Sequence, residues 1–360
     1  MIKAILFDFG QTLVDSSDGF RQAEKDTQAA IFQDLAITDH DNVCGAMEFA
    51  QSAESVGIKP IIGCEVYVAD GSRHSKTAAD KSPYHLTLLA KNDTGYHNLI
   101  KLVTKANLEG FYYKPRIDRE LMEEHHEGLI VLSGCASGEV PGLIGQGRME
   151  DAQASARWYR DVFDDYYLEL MKHEAVENLP EINEGLVRLS GETGIPVVAT
   201  NDSHYVHQED APLQDILICI HTNTNVNDER RLRMEADSYY LRSPQEMEAL
   251  FSELPEAISN TQLIADMCEL ELDFSQLRLP EFDVPDGVTA DDYLSQLCWE
   301  GLRRRLSPIT SLEEERLAYE LKVIKHTKFA DYFLVGWDIA QFVRERDIYF
   351  AIRGSAAASL

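Results

Sequence analysis

No stretch of about 18 apolar residues occurs in this chain, so no membrane-spanning helix is written into it. The opening MIKAILFDFGQTLVDSS breaks its apolar run with a lysine and an acidic residue, unlike a secretory signal. The six cysteines, at 44, 64, 135, 219, 268 and 298, are scattered without a CxxC pair. That speaks against a disulfide framework and fits a reducing, cytoplasmic setting. Positive charge is scarce, with 33 Lys and Arg against 62 Asp and Glu and a formal net charge of −29. Phosphate binding rests on Lys and Arg, so the balance argues against broad, nonspecific adhesion to duplex DNA. A bound cation would still dominate the field around it and admit a nucleic-acid end locally. Low-complexity tracts and repeats of 20–50 residues are also missing, which excludes a solenoid.

What remains is an ordinary globular composition, 44% hydrophobic and 26% charged over 360 residues, enough for about two domains. Seven β-type runs precede residue 205: Ile2–Phe9, Ala36–Thr38, Ile61–Val68, Tyr84–Ala90, Leu129–Ser133, Tyr166–Met171 and Pro196–Asn201. Helical patterns at Phe20–Leu35, Ala46–Val56, Tyr96–Asn107, Asp151–Phe163 and Leu179–Glu192 separate most of them. Such alternation predicts βαβ units and a parallel sheet, and seven units fit a barrel better than an open sheet. After about residue 210 the pattern turns mostly helical. Ser243-Pro244-Gln245-Glu246 reads as a capping box with proline at the first helical position. Thr289 and Ser311 also suit helix starts. Leu279–Val288, with Pro280, Pro285 and Gly287, reads as a linker, and Asp291–Arg346 as a second helical element. The chain stops inside an apolar run at Leu360, which reads as a truncated end.

Polar residues stand where these apolar strands stop: His40, Glu65, His85, Cys135, Asp202 and His204. In a barrel of parallel strands, one rim gathers such strand ends into one site. Imidazole, carboxylate and thiolate are the donor types that hold transition metals. Each residue also has a plainer reading. Asp202 and His204 make a DxH that also suits a satisfied loop pair, although on an extended strand both would face one side. His85 also suits a packed histidine, and Cys135 a small buried residue. Glu65 sits among apolar neighbours and needs a partner, because an unpaired buried carboxylate is costly. Asp39, beside His40, is placed to orient its imidazole. The remaining histidines (74, 97, 125, 126, 173, 207, 221 and 326) read as surface or core residues.

Several segments closely resemble the amino-terminal region of bacterial replicative DNA polymerase III alpha subunits. They are Ile37-Thr38-Asp39-His40, Lys59 through Glu65, His85 through Lys91, Phe111-Tyr112-Tyr113-Lys114-Pro115-Arg116, Ser133-Gly134-Cys135 and Thr200 through Tyr205. The likeness continues through Ser243–Met247, Leu321–Ile324 and Tyr332–Val335 to Arg353–Ala357, and so covers roughly residues 36–360. It implies a PHP (polymerase and histidinol phosphatase) domain, a distorted seven-stranded βα barrel holding up to three metals, usually zinc or manganese. It also implies His40, Glu65, His85, Cys135, Asp202 and His204 as ligands. On this reading 36–277 form the PHP domain with its helical extension, and 278–360 a linker and the beginning of the polymerase palm.

The sequence departs from that family at both ends. The family's first strand carries an HxH that supplies two imidazoles, and this chain has none. Residues 1–35 instead resemble the first βα unit of a haloacid dehalogenase-like (HAD) hydrolase, with Asp8 at the nucleophile position and Gly10 where the acid/base aspartate usually stands. This unit suits either a replacement for the missing barrel unit, bringing Asp8 to the metal rim, or a gene-assembly artefact joined within Leu35–Asp41. At the other end Arg353, Gly354 and Ser355 resemble the phosphate-approaching loop of the palm. The magnesium-binding palm aspartates are expected beyond Leu360, so this stretch alone is not expected to polymerise DNA.

The expected function is therefore a portion of a DNA polymerase III alpha subunit with a PHP phosphoesterase or 3′–5′ exonuclease-type site, impaired by loss of the HxH. A non-catalytic scaffold that contacts the proofreading exonuclease is the alternative, and a HAD-like phosphatase a more distant one. By resemblance the partners are DNA, dNTP, the exonuclease and other replisome subunits, without a membrane.

Overall fold

The computed structural model describes the backbone of residues 4–7 and, in full, residues 33–234, 236–273 and 279–351. The chain divides into two compact units, Met1–Leu272 and Asp273–Leu360.

The first unit is built on one curled sheet. Its strands are β1 (Ala4–Phe7), β2 (Asp34–Ile37), β3 (Lys59–Val68), β4 (Tyr84–Ala90), β5 (Arg116–Ile117), β6 (Leu129–Leu132), β7 (Asp165–Leu170) and β8 (Val197–Ala199). Seven of them follow the path β1-β2-β3-β4-β6-β7-β8, and the two-residue β5 branches off β3. This is the mixed α/β architecture that the strand–helix alternation predicts.

One direction differs from expectation. β4 runs antiparallel to both its neighbours, β3 and β6, while the other neighbours pair parallel. The β3–β4 connection holds only a short 3-10 turn (Ala78–Lys81), and a parallel return needs a longer crossover, usually a helix. The helix expected over Phe20–Leu35 also ends differently, because Asp34 and Leu35 lie in β2. The rest of that expectation, with Asp8, falls outside the described residues.

Helices α1 (Ala46–Ser55), α2 (Asp93–Leu108), α3 (Arg119–Glu124), α4 (Glu139–Gly145), α5 (Met149–Val162) and α6 (Leu179–Thr193) connect the strands. α2 begins at Asn92, whose side chain accepts from Gly95 N at 3.0 Å. Its inner stripe, Leu99, Leu102, Val103 and Ala106, is buried and joins the main apolar core. After β8 come α7 (Ala211–His221), α8 (Pro244–Leu250) and α9 (Pro255–Met267). The Ser243 box caps α8 as the sequence indicates. α9 packs against both β8 and β1, the two ends of the sheet path.

Among its described residues the second unit holds three helices, α10 (Ala290–Arg305), α11 (Ser311–Thr327) and α12 (Ala330–Glu345). Thr289 caps α10, accepting from Asp292 N at 3.2 Å. For α11 the cap is Thr310, one residue before the expected start, in a box with Glu313. No helix among the described residues is long and apolar enough to cross a membrane.

Candidate metal centre

The rim assembles from backbone pairing. His40 follows β2 and bridges in parallel to Glu65 of β3. Glu65 N donates to Asp39 O at 3.1 Å, and Asp41 N to Glu65 O at 3.0 Å. Glu65 is not at a strand end; it lies inside β3, opposite Thr87. His85 lies at the start of β4, opposite Tyr67. The antiparallel run of β4 makes this useful, because its start meets the rim where the parallel strands finish. The loop after β6 lies against His85, with His85 N donating to Ser137 O at 3.1 Å. Gly134 permits that approach: its φ is +81°, and a Cβ there would fall 2.5 Å from His85 O.

These placements bring the sequence candidates together. Donor atoms of His40, Glu65 and His85 all lie within 4.8 Å of one another. His40 Nδ1 is 3.6 Å from Glu65 Oε1, and His85 Nδ1 is in direct contact with the same oxygen. Cys135 Sγ is 3.5 Å from His85 Nδ1. His204 Nε2 pairs with Asp202 Oδ1 at 2.9 Å. That pair lies past the end of β8 at Ala199, so loop geometry joins the two side chains rather than the alternation of an extended strand. Tyr67 stacks on His40, with ring centroids 5.6 Å apart, and meets His85 edge-on at 5.0 Å.

Burial sets the protonation states. It lowers His40 to about 3, assisted by the His85 charge, and it lowers His85 as well. Both imidazoles are therefore neutral near pH 7, with a lone pair to offer. Burial drives the Cys135 thiol well up, and the neighbouring Glu65 and Asp202 charges push the same way. Burial also acts to raise Asp202, but the His204 charge and hydrogen bond outweigh it and hold the carboxyl at about 2. Burial alone lifts Asp39 to about 7. Its Oδ1 is buried with no hydrogen-bond partner among the described residues.

The donor chemistry fits a divalent transition metal. Two neutral imidazoles and a carboxylate converge within 4.8 Å, with the Cys135 thiol against His85, a donor set suited to such an ion. A cation there would lower the thiol again, since a coordinating thiol deprotonates.

Two residues beyond the sequence candidates adjoin this group. Glu169 of β7 is buried and accepts from Thr200 Oγ1 at 2.7 Å, Gly134 N at 3.0 Å and Thr87 Oγ1 at 3.2 Å. Burial raises it to about 7 against those hydrogen bonds. A lone carboxylate between Leu168 and Leu170 was the signal, by the same argument that singles out Glu65. His173, read from the sequence as an ordinary surface or core histidine, is buried and stacks on Tyr239 at 4.5 Å. Its Nδ1 lies 3.3 Å from Ser238 Oγ. Arg353, Gly354 and Ser355, like Asp8, lie outside the described residues.

Comparison with known proteins matches residues 11–173 to the PHP domain and 292–360 to the bacterial DNA polymerase III alpha NTPase domain. The first match begins within the segment that resembles a HAD hydrolase, and it lends that resemblance no support. The DNA polymerase III subunit alpha of Borreliella burgdorferi is 46% identical over 91% of this chain and 29% of its own length. That of Treponema pallidum is 40% identical over 97% of this chain and 30% of its own. This chain thus spans under a third of these relatives. A two-domain Bacteroides vulgatus protein containing a predicted PHP-like metal-dependent phosphoesterase covers 68% of this chain and 62% of its own, at 13% identity and a TM-score of 0.30. The matched domains, their order and the near-complete coverage by these relatives place the chain in the DNA polymerase III alpha-subunit family, of which it holds the PHP-containing portion.

Proposed function

We propose that the rim of the first unit is a metal-dependent phosphoesterase site of 3′–5′ exonuclease type, carried by a DNA polymerase III alpha subunit that acts in the cytoplasm. One observation supports this reading: His40, Glu65 and His85 come from separate segments to within 4.8 Å of one another, with Cys135 against His85 and the Asp202 and His204 charges acting on His40. Zinc or manganese would be held by these six residues. When bound, such an ion polarises the phosphoryl group and lowers the pKa of water.

The chain's own groups prepare the site. Neutral His40 and His85 offer lone pairs without first losing a proton. Asp202 fixes the orientation of the His204 ring through their 2.9 Å contact. Glu169 ties the Gly134 backbone and Thr200 together, and so holds the Cys135 loop beside β8. Asp39 is proposed as an outer carboxylate to His40. Asp8 as a further rim carboxylate, and Arg353, Gly354 and Ser355 as a nucleotide-phosphate loop working with magnesium in a complete polymerase, belong to the same proposal. DNA, dNTP and other replisome subunits are the partners it implies.

A second reading is favoured by the lack of an HxH motif anywhere in the chain, which removes two expected imidazoles. In that reading the unit is a scaffold for the proofreading exonuclease. Elemental analysis of the purified chain separates the two. The phosphoesterase reading expects tightly bound metal whose occupancy falls in acid, as thiolate and imidazole take up protons. It further expects weak hydrolysis of a DNA 3′ end with added manganese or zinc, abolished by Asp202→Ala. A folded chain without bound metal and without hydrolysis would leave the scaffold.

A further inference from the structure

The Phe111–Arg116 turn is absorbed by none of the chemistry above, yet it is an elaborately anchored piece of surface. Arg116 is fully buried beneath it. Its guanidinium donates to Gly110 O at 3.0 Å, Arg73 O at 3.0 Å and Ser75 O at 2.8 Å. Tyr112 packs over that guanidinium at 5.5 Å, and Tyr112 N donates to Lys114 O at 3.0 Å, closing the turn. The closure places Tyr113 at φ +62°, a left-handed backbone that an aromatic residue adopts only at a cost in strain.

This strained, fixed turn presents its groups outward. Tyr113 is 63% exposed and Phe111 54% exposed. Lys81 Nζ lies 4.9 Å from the centre of the Tyr113 ring. Lys114 Nζ lies 4.9 Å from the centre of Tyr67, the ring that stacks on His40. The Tyr67 ring thus sets Lys114 beside His40, at the edge of the metal centre. No described carboxylate is in ion-pair contact with Lys114, in a chain that carries 62 acidic residues.

We infer that this turn is a landing platform for the end of a single-stranded DNA, with Tyr113 stacking a base and Lys114 receiving the phosphate that leads to the metal rim. The inference rests on the phosphoesterase reading for its choice of ligand. Exposed aromatic faces beside cations are how proteins hold single strands, because every base has a π-face and every linkage a charge. The anchoring by Arg116 explains the position of the cation. In a protein with a net charge of −29, one fixed lysine at the mouth decides where a strand approaches. Lys81, over the Tyr113 ring, adds a second cation to the platform.

The test is fluorescence anisotropy with a 5′-labelled oligo(dT) at low salt in EDTA, so that binding is read without cleavage. The wild-type chain should bind, and Tyr113→Gly should weaken binding about fivefold or more. Glycine accepts the left-handed backbone, so that variant removes the ring without adding strain. Lys114→Gln should weaken binding and reduce the salt dependence by about 0.7 in log–log slope, while Lys114→Arg retains both. Lys325→Gln, in the second unit, serves as the unchanged control. Binding by a chain that neither holds metal nor hydrolyses DNA would sink the phosphoesterase reading and leave the platform standing. No binding by the folded wild type, or equal binding by Tyr113→Gly and Lys114→Gln, would overturn the platform even if hydrolysis were found.

Discussion

The two units of this chain bury their side chains to very different degrees. In the first, a continuous core runs along the sheet and its covering helices, from Ile37 and Phe49 through Leu88, Leu99 and Val131 to Leu186. Among its described residues the second gathers Leu294, Ala330 and Leu334 as a buried cluster, bordered by partly buried neighbours. It leaves Leu312, Tyr319, Tyr332, Ile339 and Phe342 more than half exposed. Both units have regular helices, some capped by side chains such as Asn92 and Thr289, so helix formation does not distinguish them. The sheet does, because it presents two broad faces to bury, whereas three helices meet along narrow stripes. The lesson is that the first unit carries enough apolar burial to fix a rim of polar groups, and the second does not.

That contrast breaks if both units unfold together with equal sensitivity to core truncation. Leu88→Ala empties a fully buried position in β4, between Cys64 and Val131, and should cost the first unit about 3–5 kcal/mol. Leu334→Ala should cost the second unit about 2–4 kcal/mol and erase its own transition, since so small a core rarely supplies more. Urea unfolding followed by tryptophan fluorescence reads both, with Trp158 in the first unit and Trp299 and Trp337 in the second. A single transition shifted equally by both variants would remove the distinction.

A pH series sharpens it. Glu169 in the first unit is raised to about 7 by burial, against an ordinary value of 4.5. A carboxyl raised on folding stabilises fully below its unfolded value, and that contribution is lost as pH rises through the folded one. First-unit stability should therefore fall by roughly 2–3 kcal/mol between pH 5 and 8 on account of this group. Glu169→Gln should flatten the profile by that amount, and the second-unit transition should be unaffected. An unchanged slope in the variant would place the pH sensitivity elsewhere. The smallest effect concerns the cap of α8. Ser243→Ala removes the acceptor for Glu246 N and should cost about 1 kcal/mol, in the first transition only.

Much of this was legible in the sequence, for physical reasons that differ by element. Strands β3, β4, β6 and β7 announced themselves as apolar runs, because the first unit buries both faces of its sheet. The direction of β4 was not legible, since a hydrophobic pattern has the same form read either way along a strand. β5 was invisible because two residues carry no period. The rim donors were legible as polar residues at the boundaries of apolar runs, although Glu65 turned out to lie inside its strand. Glu169, alone between Leu168 and Leu170, carries the same signal, whereas the polar neighbourhood of His173 gives none. The roles carried over by family resemblance remain proposals.

The reversal of β4 bears on the chain entropy lost in bringing the donors together. Glu65 and His85 sit on strands joined by a 15-residue excursion, whereas Asp202 and His204 come from a stretch more than a hundred residues downstream. Local pairings form with less chain entropy to overcome than distant ones. The hairpin therefore sets an imidazole beside a carboxylate at a small cost in loop closure. The distant aspartate and histidine join them only through the closure of a far longer stretch of chain, at a larger entropic cost.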